Sequence, residues 1–412
     1  MFIFKAAVVG AGAMGGGIAQ VISYSGLPVV LKDIDQQALD KGMETVRSIY
    51  QSRVDKGKMS PGEMQSKLDL VTPTLTYDEF GDVDIVIEAV PENMKIKQAV
   101  FAELDKVCHP DAIFASNTSA LSISEMASAT NRPHKVIGLH FFNPAHVMKL
   151  VEIIPGEKTD QDTIDTVQQF AQELRKIPVI VKECPGFLVN RLLMPYLNEA
   201  VIALQEGAAP ASEIDEAMRN FGWPMGPFQL MDMLGIDVCY HVGKYLASKY
   251  GDRMEAAVLF EELFQSGRYG EKTGAGFYGY GDQTDEPVKE MIRKLQAEGK
   301  VKTGTEFSVD RLMMPLINEA ALCVTEGIAN VNDIDMACIA GIGMAVRKGN
   351  ELVRMGPLEY ADEIGLDVVL KKLEELEAKY GRRFAPADLL RRKVAAGETG
   401  KKAGRGFKEY TV

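Results

Sequence analysis

Long apolar runs and long runs of basic residues are both missing from this chain of 412 residues. No apolar run approaches the roughly 20 residues that a membrane-spanning helix needs, and residues 1–10 (MFIFKAAVVG) meet a glycine turn too early for a secretory signal. The net charge is −12, which argues against nucleic acid or an anionic membrane surface as a partner. We therefore expect a cytoplasmic protein that binds neither nucleic acid nor membrane.

Cysteine is scarce as well. The five cysteines are scattered, and no two of them form a C-x-x-C pair. This pattern excludes a disulfide framework and a cysteine zinc site, and it fits a reducing compartment. We expect no bound metal. The apolar fraction of 46% is ordinary for a globular protein, and the chain length suggests two or three domains.

Strand and helix patterns alternate through the first half of the chain. Short apolar runs that suit strands buried on both faces lie at residues 6–9, 28–31, 84–90, 112–116 and 136–141. Stretches of helical period lie between them, for example at residues 94–107. Such alternation predicts a doubly wound α/β domain, in which helices cover both faces of a parallel sheet.

A glycine-rich turn follows the first predicted strand and opens the first predicted helix. Residues 10–15 read GAGAMG, the G-x-G-x-x-G pattern in which backbone and a helix N-terminus receive a pyrophosphate. Asp33 follows 23 residues after Gly10, where a carboxylate binds a ribose 2′-hydroxyl and repels a 2′-phosphate. The pattern predicts a Rossmann-type domain that prefers NAD, although the adjacent Lys32 leaves NADP open as an alternative. The cofactor-binding residues predicted here are Gly10, Gly12, Ala13, Met14, Gly15 and Asp33.

Polar side chains interrupt the apolar stretch at residues 138–154 (GLHFFNPAHVMKLVEII). His140, Asn143 and Glu152 are costly to bury unless they are paired. His140 ends a predicted strand, at the edge where open α/β sheets bind ligands, and a chain reversal after Asn143 would bring Glu152 back to it. The pair then suits proton transfer, because histidine exchanges a proton near neutral pH and a carboxylate holds its tautomer.

A set of motifs along the chain resembles the L-3-hydroxyacyl-CoA dehydrogenases. The motifs occur in that family's order, at residues 10–20, 87–93 (IEAVPEN), 116–123 (SNTSALSI), 140–144 (HFFNP), 185–191 (PGFLVNR), 226–237 (GPFQLMDMLGID) and 272–278 (KTGAGFY). The resemblance implies reversible, NAD-dependent oxidation of L-3-hydroxyacyl-CoA to 3-oxoacyl-CoA, in fatty acid β-oxidation or 3-hydroxybutyryl-CoA metabolism. It also implies a nucleotide-binding domain followed by an all-helical domain of the 6-phosphogluconate dehydrogenase C-terminal-like type, with the active site between them.

The resemblance implies catalytic roles for four residues that match the family's motifs. His140 would be the general base and acid, and Glu152 would be its carboxylate partner. Ser119 would bond the substrate's 3-oxygen. Asn190 would contact the reacting group and help polarise the carbonyl.

Contacts to the cofactor and to CoA follow from other matched positions. Lys56 falls near a family lysine that touches a CoA phosphate, within residues 36–70, which are helical and basic. A helical hairpin there would suit a CoA tail, and a charged, solvated face is the alternative. The further cofactor contacts implied are Glu92, Lys97, Asn117 and Asn143. For Glu92 and Lys97 the alternative is a solvated helix start.

The second half of the chain contains a long repeat. Residues 191–207 recur at residues 311–327 with nine identities in 17 positions, and the offset between repeated segments drifts from 120 to 130 residues. A loop-sized insertion therefore separates two copies of one helical domain. The predicted plan is a nucleotide-binding domain at residues 1–184, helical domains at 185–282 and 307–412, and a charged linker at 283–306.

The second copy departs from the family where chemistry is needed. Asp310 stands where the first copy has Asn190, and PGF is absent before it, so we predict that this copy is non-catalytic. Relatives with one copy pair their helical domains in a dimer, and a tandem copy would supply that partner at high effective concentration. We expect a monomer with an intramolecular pseudo-dimer of helical domains, or a homodimer.

Two other functions stay open from the sequence. The first is a related NAD-dependent hydroxyacid dehydrogenase that acts on a free acid, of the gulonate dehydrogenase type, which would lack CoA contacts in residues 36–70. The second is a dinucleotide-binding protein without turnover. The intact set of His140, Glu152, Ser119 and Asn190 argues against the second.

Overall fold

The computed structural model describes residues 1–411 and divides the chain into two compact units. The first unit ends at Phe187, and the second begins at Leu188. The first is built around one sheet, and the second is almost wholly helical. Within the described residues, no helix combines the length and the apolar character needed to cross a membrane.

An eight-stranded sheet forms the centre of the first unit. Its strands are β1 (Ala6–Val9), β2 (Val29–Lys32), β3 (Val71–Thr74), β4 (Ile85–Glu88), β5 (Ile113–Ser116), β6 (Val136–Phe141), β7 (Leu150–Pro155) and β8 (Ile177–Ile180). They lie in the order β3-β2-β1-β4-β5-β6-β7-β8, and neighbours are parallel except β6 and β7. The strand order reverses between β1 and β4, which is where a sheet of this kind opens a crevice for ligands.

Six α-helices cover both faces of this sheet. They are α1 (Gly15–Ser25), α2 (Gln36–Asp55), α3 (Pro61–Leu68), α4 (Met94–Val107), α5 (Ile123–Ala127) and α6 (Gln161–Glu173). Side chains of Asp35, Ser60 and Asn93 cap the N-termini of α2, α3 and α4, which satisfies backbone N–H groups that a helix leaves unpaired. The predicted doubly wound α/β fold is confirmed, and so is the helical hairpin predicted within residues 36–70.

Two strands were not predicted from the sequence pattern, and both contain proline. β3 reads VTPT and β8 reads IPVI, and they are the two edge strands of the sheet. Proline lacks the N–H group that a central strand donates, so it is tolerated mainly at a sheet edge. Five of the six interior strands, β1, β2, β4, β5 and β6, match the predicted runs within two residues at each end.

The described part of the second unit contains eleven α-helices, several short 3₁₀ turns and one β-hairpin. The helices are α7 (Val189–Gln205), α8 (Ala211–Phe221), α9 (Pro227–Leu234), α10 (Ile236–Tyr250), α11 (Val258–Gln265), α12 (Glu286–Ala297), α13 (Val309–Thr325), α14 (Val331–Ile342), α15 (Pro357–Ile364), α16 (Leu366–Tyr380) and α17 (Asp388–Ala395). The hairpin strands are β9 (Ala345–Lys348) and β10 (Glu351–Arg354).

The repeat in the sequence is a repeat in the structure. We call α7 to α11 copy 1 and α13 to α17 copy 2. The offset is 120 residues between α7 and α13 and 130 residues from α9 and α15 onward. The additional residues form the β9–β10 hairpin, which is therefore the insertion that the sequence predicts.

The segment predicted as a charged linker is partly helical. Residues 283–306 contain α12, in which Val288 and Leu295 are buried. The amide of Gln296 donates to the carbonyl oxygen of Gln205 at the end of α7, at 2.9 Å. This segment therefore packs on copy 1 as a helix.

Matching buried aspartates hold each copy together internally. Asp215 accepts two backbone hydrogen bonds at the start of α9, at 2.9 and 3.2 Å, and Asp335 does the same at the start of α15, at 2.8 and 3.2 Å. A Cβ atom at Gly226 or Gly356 would lie 2.4 Å or less from atoms of these aspartates. The glycine in each GP pair is therefore needed for packing, which explains why both copies keep it.

A buried ion-pair cluster joins α7 to α13, and we call it the first clamp. Arg191 of α7 donates to Glu319 of α13 and to Glu326 at the C-cap of α13, and the N–O distance is 2.7 Å in both cases. The guanidinium also lies 4.6 Å from the ring centre of Tyr250. Its side chain is fully buried, and such a charge is stable only beside opposite charge.

The second clamp repeats this geometry with the helices exchanged. Arg311 of α13 donates to Glu199 of α7 and to Glu206 at the C-cap of α7, at 2.6 Å each. Its guanidinium lies 4.1 Å from the ring centre of Tyr380. The two copies thus pair with pseudo-two-fold symmetry inside one chain.

Deleting residues 309–412 removes α13 and with it both clamps. We expect the shortened protein to dimerise or aggregate, because an apolar face of α7 becomes exposed and Arg191 loses both carboxylates; removing one partner of a buried ion pair costs about 3–5 kcal/mol. Size-exclusion chromatography with light scattering measures this. A well-behaved monomer after the deletion would contradict the pairing argument.

Candidate active site

His140 and Glu152 face each other across β6 and β7. The two residues are direct partners in the antiparallel register. His140 Nδ1 lies 2.7 Å from Glu152 Oε2, and the residues are only 7% and 1% exposed. The chain reversal that the sequence predicts after Asn143 therefore brings the two side chains into hydrogen-bond contact.

This hydrogen bond determines which nitrogen of the imidazole ring is available as a base. An ionised carboxylate only accepts hydrogen bonds, so Nδ1 of His140 carries the hydrogen and Nε2 holds the lone pair. Burial in a weakly polar environment strengthens the pairing. The arrangement can take a proton at Nε2 while Glu152 stabilises the imidazolium that forms.

Aromatic rings enclose the histidine. The ring centre of Phe142 is 4.5 Å from that of His140, and the ring of Phe187 is at 6.1 Å. Phe187 has φ of +49° and is 1% exposed. A bulky residue rarely adopts this left-handed conformation, and such strain is found preferentially at functional sites. The two rings help to bury the imidazole of His140.

At the glycine turn before α1, a side chain larger than hydrogen would clash at Gly10 and at Gly15. A Cβ atom at Gly15 would lie 1.7 Å from the carbonyl oxygen of Gly10, and one at Gly10 would lie 2.6 Å from the carbonyl oxygen of Ala89. Gly12 differs, because nothing lies within 4 Å of its Cβ position and the residue is exposed. The space beside Gly12 is open to a ligand, which is what reception of a pyrophosphate requires.

A cleft of about 500 Å³ lies beside this turn. Its lining includes Gly12 and Ala13 from the turn and Lys41 and Thr45 from α2. Asp33 lies at the end of β2 and accepts hydrogen bonds from the backbone N–H groups of Ala11 and Ile34, at 2.7 Å each. These bonds fix the carboxylate and leave lone pairs for ribose hydroxyls.

Two residues beside Asp33 have surroundings that the sequence did not reveal. Ile34 is 90% exposed, so it offers an apolar surface beside Asp33 that suits an adenine ring, and no pattern marked it. Lys32 is buried, with its ammonium 4.2 Å from the ring centre of Tyr77, and burial lowers its pKa. Lys32 is therefore directed away from solvent and gives a 2′-phosphate no cation, which removes the argument for NADP.

Lys97 is buried in an ion pair, so the alternative of a solvated position at a helix start is wrong for it. Its ammonium lies 2.7 Å from Glu88 and 3.3 Å from Glu92. Glu88, at the end of β4, is fully buried and also accepts from the hydroxyl of Ser116 at 2.6 Å. This network fixes the loop after β4 against the end of β5.

Glu92 connects that network to the serine expected to bind substrate. It is exposed and accepts from the hydroxyl of Thr118 at 2.6 Å and from the backbone N–H of Ser119 at 3.0 Å. The hydroxyl of Ser119 is 3.4 Å from the same carboxylate, a weak hydrogen bond. Ser119 is thus held through its backbone, and its hydroxyl can turn to a ligand.

The two asparagines of the predicted cofactor set have different surroundings. Asn117 Oδ1 accepts from the backbone N–H of Phe141 at 2.8 Å, which ties the end of β5 to the strand that carries His140. Asn143 is exposed in the turn after β6, and its peptide bond to Pro144 is cis. Both residues lie at the carboxyl edge of the sheet, as the glycine turn does.

Two further predicted residues lie on other elements of the fold. Lys56 is exposed at the C-terminal end of α2. Asn190 is half-buried in the first turn of α7, in the second unit. Their roles stay predictions.

Two buried charged groups near the site were missed in the sequence. Glu88 carried a signal, since a carboxylate inside the apolar run IVIE needs a buried partner. Lys176 carried none: its ammonium donates to the carbonyl oxygens of Ala145 and Met148, at 2.5 and 2.7 Å, and supports the loop after His140 from a distant segment. Burial lowers the pKa of Lys176 to about 8.

The chain matches two models of protein families over nearly its whole length. Residues 5–184 match the 3-hydroxyacyl-CoA dehydrogenase NAD binding domain. Residues 186–280 and residues 307–410 each match the 3-hydroxyacyl-CoA dehydrogenase C-terminal domain. The two helical segments, residues 186–280 and 307–410, therefore match the same type of domain.

Similar proteins and structures carry related names. The fatty acid oxidation complex subunit alpha of Psychrobacter sp. (strain PRwf-1) is 40% identical over 408 residues, which cover 96% of this chain and 56% of that protein. This chain thus spans just over half the length of such relatives. The 3-hydroxybutyryl-CoA dehydrogenase structure from Escherichia coli K12 has a TM-score of 0.85 at 29% identity and covers 96% of this chain and 99% of its own. The (S)-3-hydroxybutyryl-CoA dehydrogenase PaaH1 of Ralstonia eutropha is 40% identical, with a TM-score of 0.65, over 68% of this chain and 100% of its own. This chain belongs to the 3-hydroxyacyl-CoA dehydrogenase family.

Proposed function

We propose that this protein is an NAD-dependent L-3-hydroxyacyl-CoA dehydrogenase, which interconverts L-3-hydroxyacyl-CoA and 3-oxoacyl-CoA. The observation that carries the proposal is the buried His140–Glu152 pair at 2.7 Å. It lies at the carboxyl edge of the sheet in an NAD-binding domain. The names of the similar proteins support the same substrate class.

Oxidation removes a proton from the 3-hydroxyl group and a hydride from C3. His140 Nε2 accepts the proton as the C3–O bond becomes a carbonyl, and Glu152 stabilises the imidazolium. NAD⁺, when bound, supplies the hydride acceptor at its nicotinamide ring. In the reverse direction the imidazolium returns the proton to the 3-oxygen, so one pair of side chains serves both directions.

Two further side chains, those of Ser119 and Asn190, are proposed to orient the reactants. The hydroxyl of Ser119 donates to the 3-oxygen, and its loop is held by Glu92 through the backbone hydrogen bond at 3.0 Å. Asn190 contacts the reacting group and helps polarise the carbonyl. Each of these donors stabilises charge on the oxygen as it develops.

The domain plan and the assembly are part of the same proposal. We propose a nucleotide-binding domain at residues 1–184, a catalytic helical domain at residues 185–282 and a non-catalytic copy at residues 307–412. The exposed Lys56 beside α2 is proposed to meet a CoA phosphate. The working state is a monomer with internally paired copies, or a homodimer, and light scattering across a range of concentrations distinguishes the two.

NADH oxidation with acetoacetyl-CoA tests the function. We expect turnover with this ester and with longer 3-oxoacyl-CoA esters, and much weaker turnover with free acetoacetate, because the free acid lacks the CoA contacts that contribute binding energy. Absence of turnover with every CoA ester would refute the proposal. Equal efficiency with the free acid would favour the hydroxyacid dehydrogenase alternative.

Replacing the base tests its assignment. We expect His140→Gln to lower kcat by about 10²–10⁴-fold, the usual contribution of a general base, and to leave NADH affinity nearly unchanged. Fluorescence titration of NADH measures the second quantity. His134→Gln, at an exposed histidine, is the matched control and should change neither value. Loss of NADH binding in His140→Gln would indicate a structural role instead.

Gly12→Ala tests the cofactor site without disturbing the fold. Nothing lies within 4 Å of the Cβ position, so we expect an unchanged Tm and a higher Kd for NADH, since the methyl group occupies the space beside the pyrophosphate position. Gly15→Ala is the contrast, because its Cβ would meet a carbonyl oxygen at 1.7 Å and should lower Tm. Unchanged NADH affinity in Gly12→Ala would place the cofactor elsewhere.

A further inference from the structure

The first clamp is anchored one residue from a residue expected to contact substrate. Asn190 and Arg191 are consecutive in the first turn of α7. Arg191 is fully buried, and the carboxylates of Glu319 and Glu326 that accept its hydrogen bonds both belong to copy 2. Whatever holds Arg191 therefore also holds the backbone turn that carries Asn190.

This first turn of α7 has no side-chain cap. Leu188 occupies the N-cap position, and a leucine side chain contains no acceptor atom. The equivalent turn of α13 begins at Ser308, whose hydroxyl accepts from the backbone N–H of Arg311 at 3.3 Å. The first turn of α7 therefore lacks the side-chain cap that α13 has, and the first clamp supplies a tertiary contact to the same turn.

The second clamp has no comparable link to chemistry. Arg311 is also held from its own side of the chain, by the hydroxyl of Thr305 and the carbonyl oxygen of Glu306 at 3.2 Å each. The residue before it is Asp310, whose carboxylate lies 2.8 Å from the ammonium of Lys372. The two clamps are nearly symmetric in geometry, and only the first borders a residue proposed to act on substrate.

We propose that copy 2 is a positioning element for the reaction carried out with copy 1. Glu319 and Glu326 hold Arg191 and thereby set the position of Asn190. The inference rests on the proposed function, in which Asn190 contacts the reacting group. A helical domain that binds no substrate of its own then affects kcat through two carboxylates.

Glu319→Gln tests the inference, and the pseudo-symmetry provides its control, Glu199→Gln. Both carboxylate side chains are buried, at 5% and 2% exposure, and each accepts from an arginine Nε, at 2.7 and 2.6 Å. Each also contacts a second arginine, Arg253 at 3.1 Å or Arg383 at 2.7 Å. We expect both variants to lower Tm by similar amounts. Only Glu319→Gln should lower kcat for acetoacetyl-CoA, by about tenfold, with the Kd of NADH unchanged.

A double variant shows whether the effect passes through Asn190. In the background of Asn190→Ala, Glu319→Gln should give no further loss of kcat, because the group that it positions is gone. A further tenfold loss would overturn the inference, and so would equal losses of kcat in Glu319→Gln and Glu199→Gln. If Glu319→Gln does not fold, Glu326→Gln replaces it with the same expectation, since that side chain is 40% exposed.

Hydrogen exchange separates failure of this inference from failure of the proposed function. Glu319→Gln should speed amide exchange at residues 192–194, the first helical amides of α7, while Glu199→Gln should leave them unchanged. This readout needs no turnover. Inactivity of the native chain on every CoA ester would refute the function alone, whereas unchanged exchange in Glu319→Gln would overturn the positioning role even in a fully active enzyme.

Discussion

A charge removed from water is stable only beside an opposite charge or a set of hydrogen-bond donors, and this constraint organises both units. In the first unit it joins Glu88 to Lys97 and His140 to Glu152. In the second it joins α7 to α13 through two buried arginines. The same physical requirement therefore produces the buried His140–Glu152 pair, the fixed loop after β4 and the contact between the two helical copies.

Much of the first unit could be predicted because its central strands are buried on both faces. A continuous apolar run of strand length is stable in the middle of a sheet that is covered on both faces. The positions of β1, β2, β4, β5 and β6 could therefore be predicted from the sequence. The edge strands β3 and β8 could not, because each carries a proline and β3 is half polar. The His140–Glu152 partnership was predictable from the cost of an unpaired carboxylate on an apolar strand face. The support that Lys176 gives to the loop after β6 could not be predicted, because a single lysine that contacts a distant segment produces no periodic sequence pattern.

A comparison of copy 1 with copy 2 separates residues needed for packing from candidates for chemistry. Both copies keep the GP pair and the buried aspartates, because a Cβ at Gly226 or Gly356 would collide with those aspartates. Only copy 1 keeps the asparagine, since Asp310 forms an ion pair with Lys372 at the equivalent position. A residue that survives in both copies serves packing, and a residue that survives only in copy 1 is a candidate for chemistry. By this criterion the GP pair and the buried aspartates are architectural, and Asn190 is a candidate for chemistry.

The fusion of both copies into one chain changes how their interface responds to mutation. In a two-fold symmetric dimer a single codon change alters the contact twice, because each residue occurs in both subunits. Here Glu319 and Glu199 are encoded by separate codons, so a mutation can alter the first clamp and leave the second unchanged. The ten-residue difference in offset and the hairpin in copy 2 show that the halves have already diverged in this way. Because both copies lie in one chain, the two sides of the interface can change independently. Each copy can therefore acquire a different role.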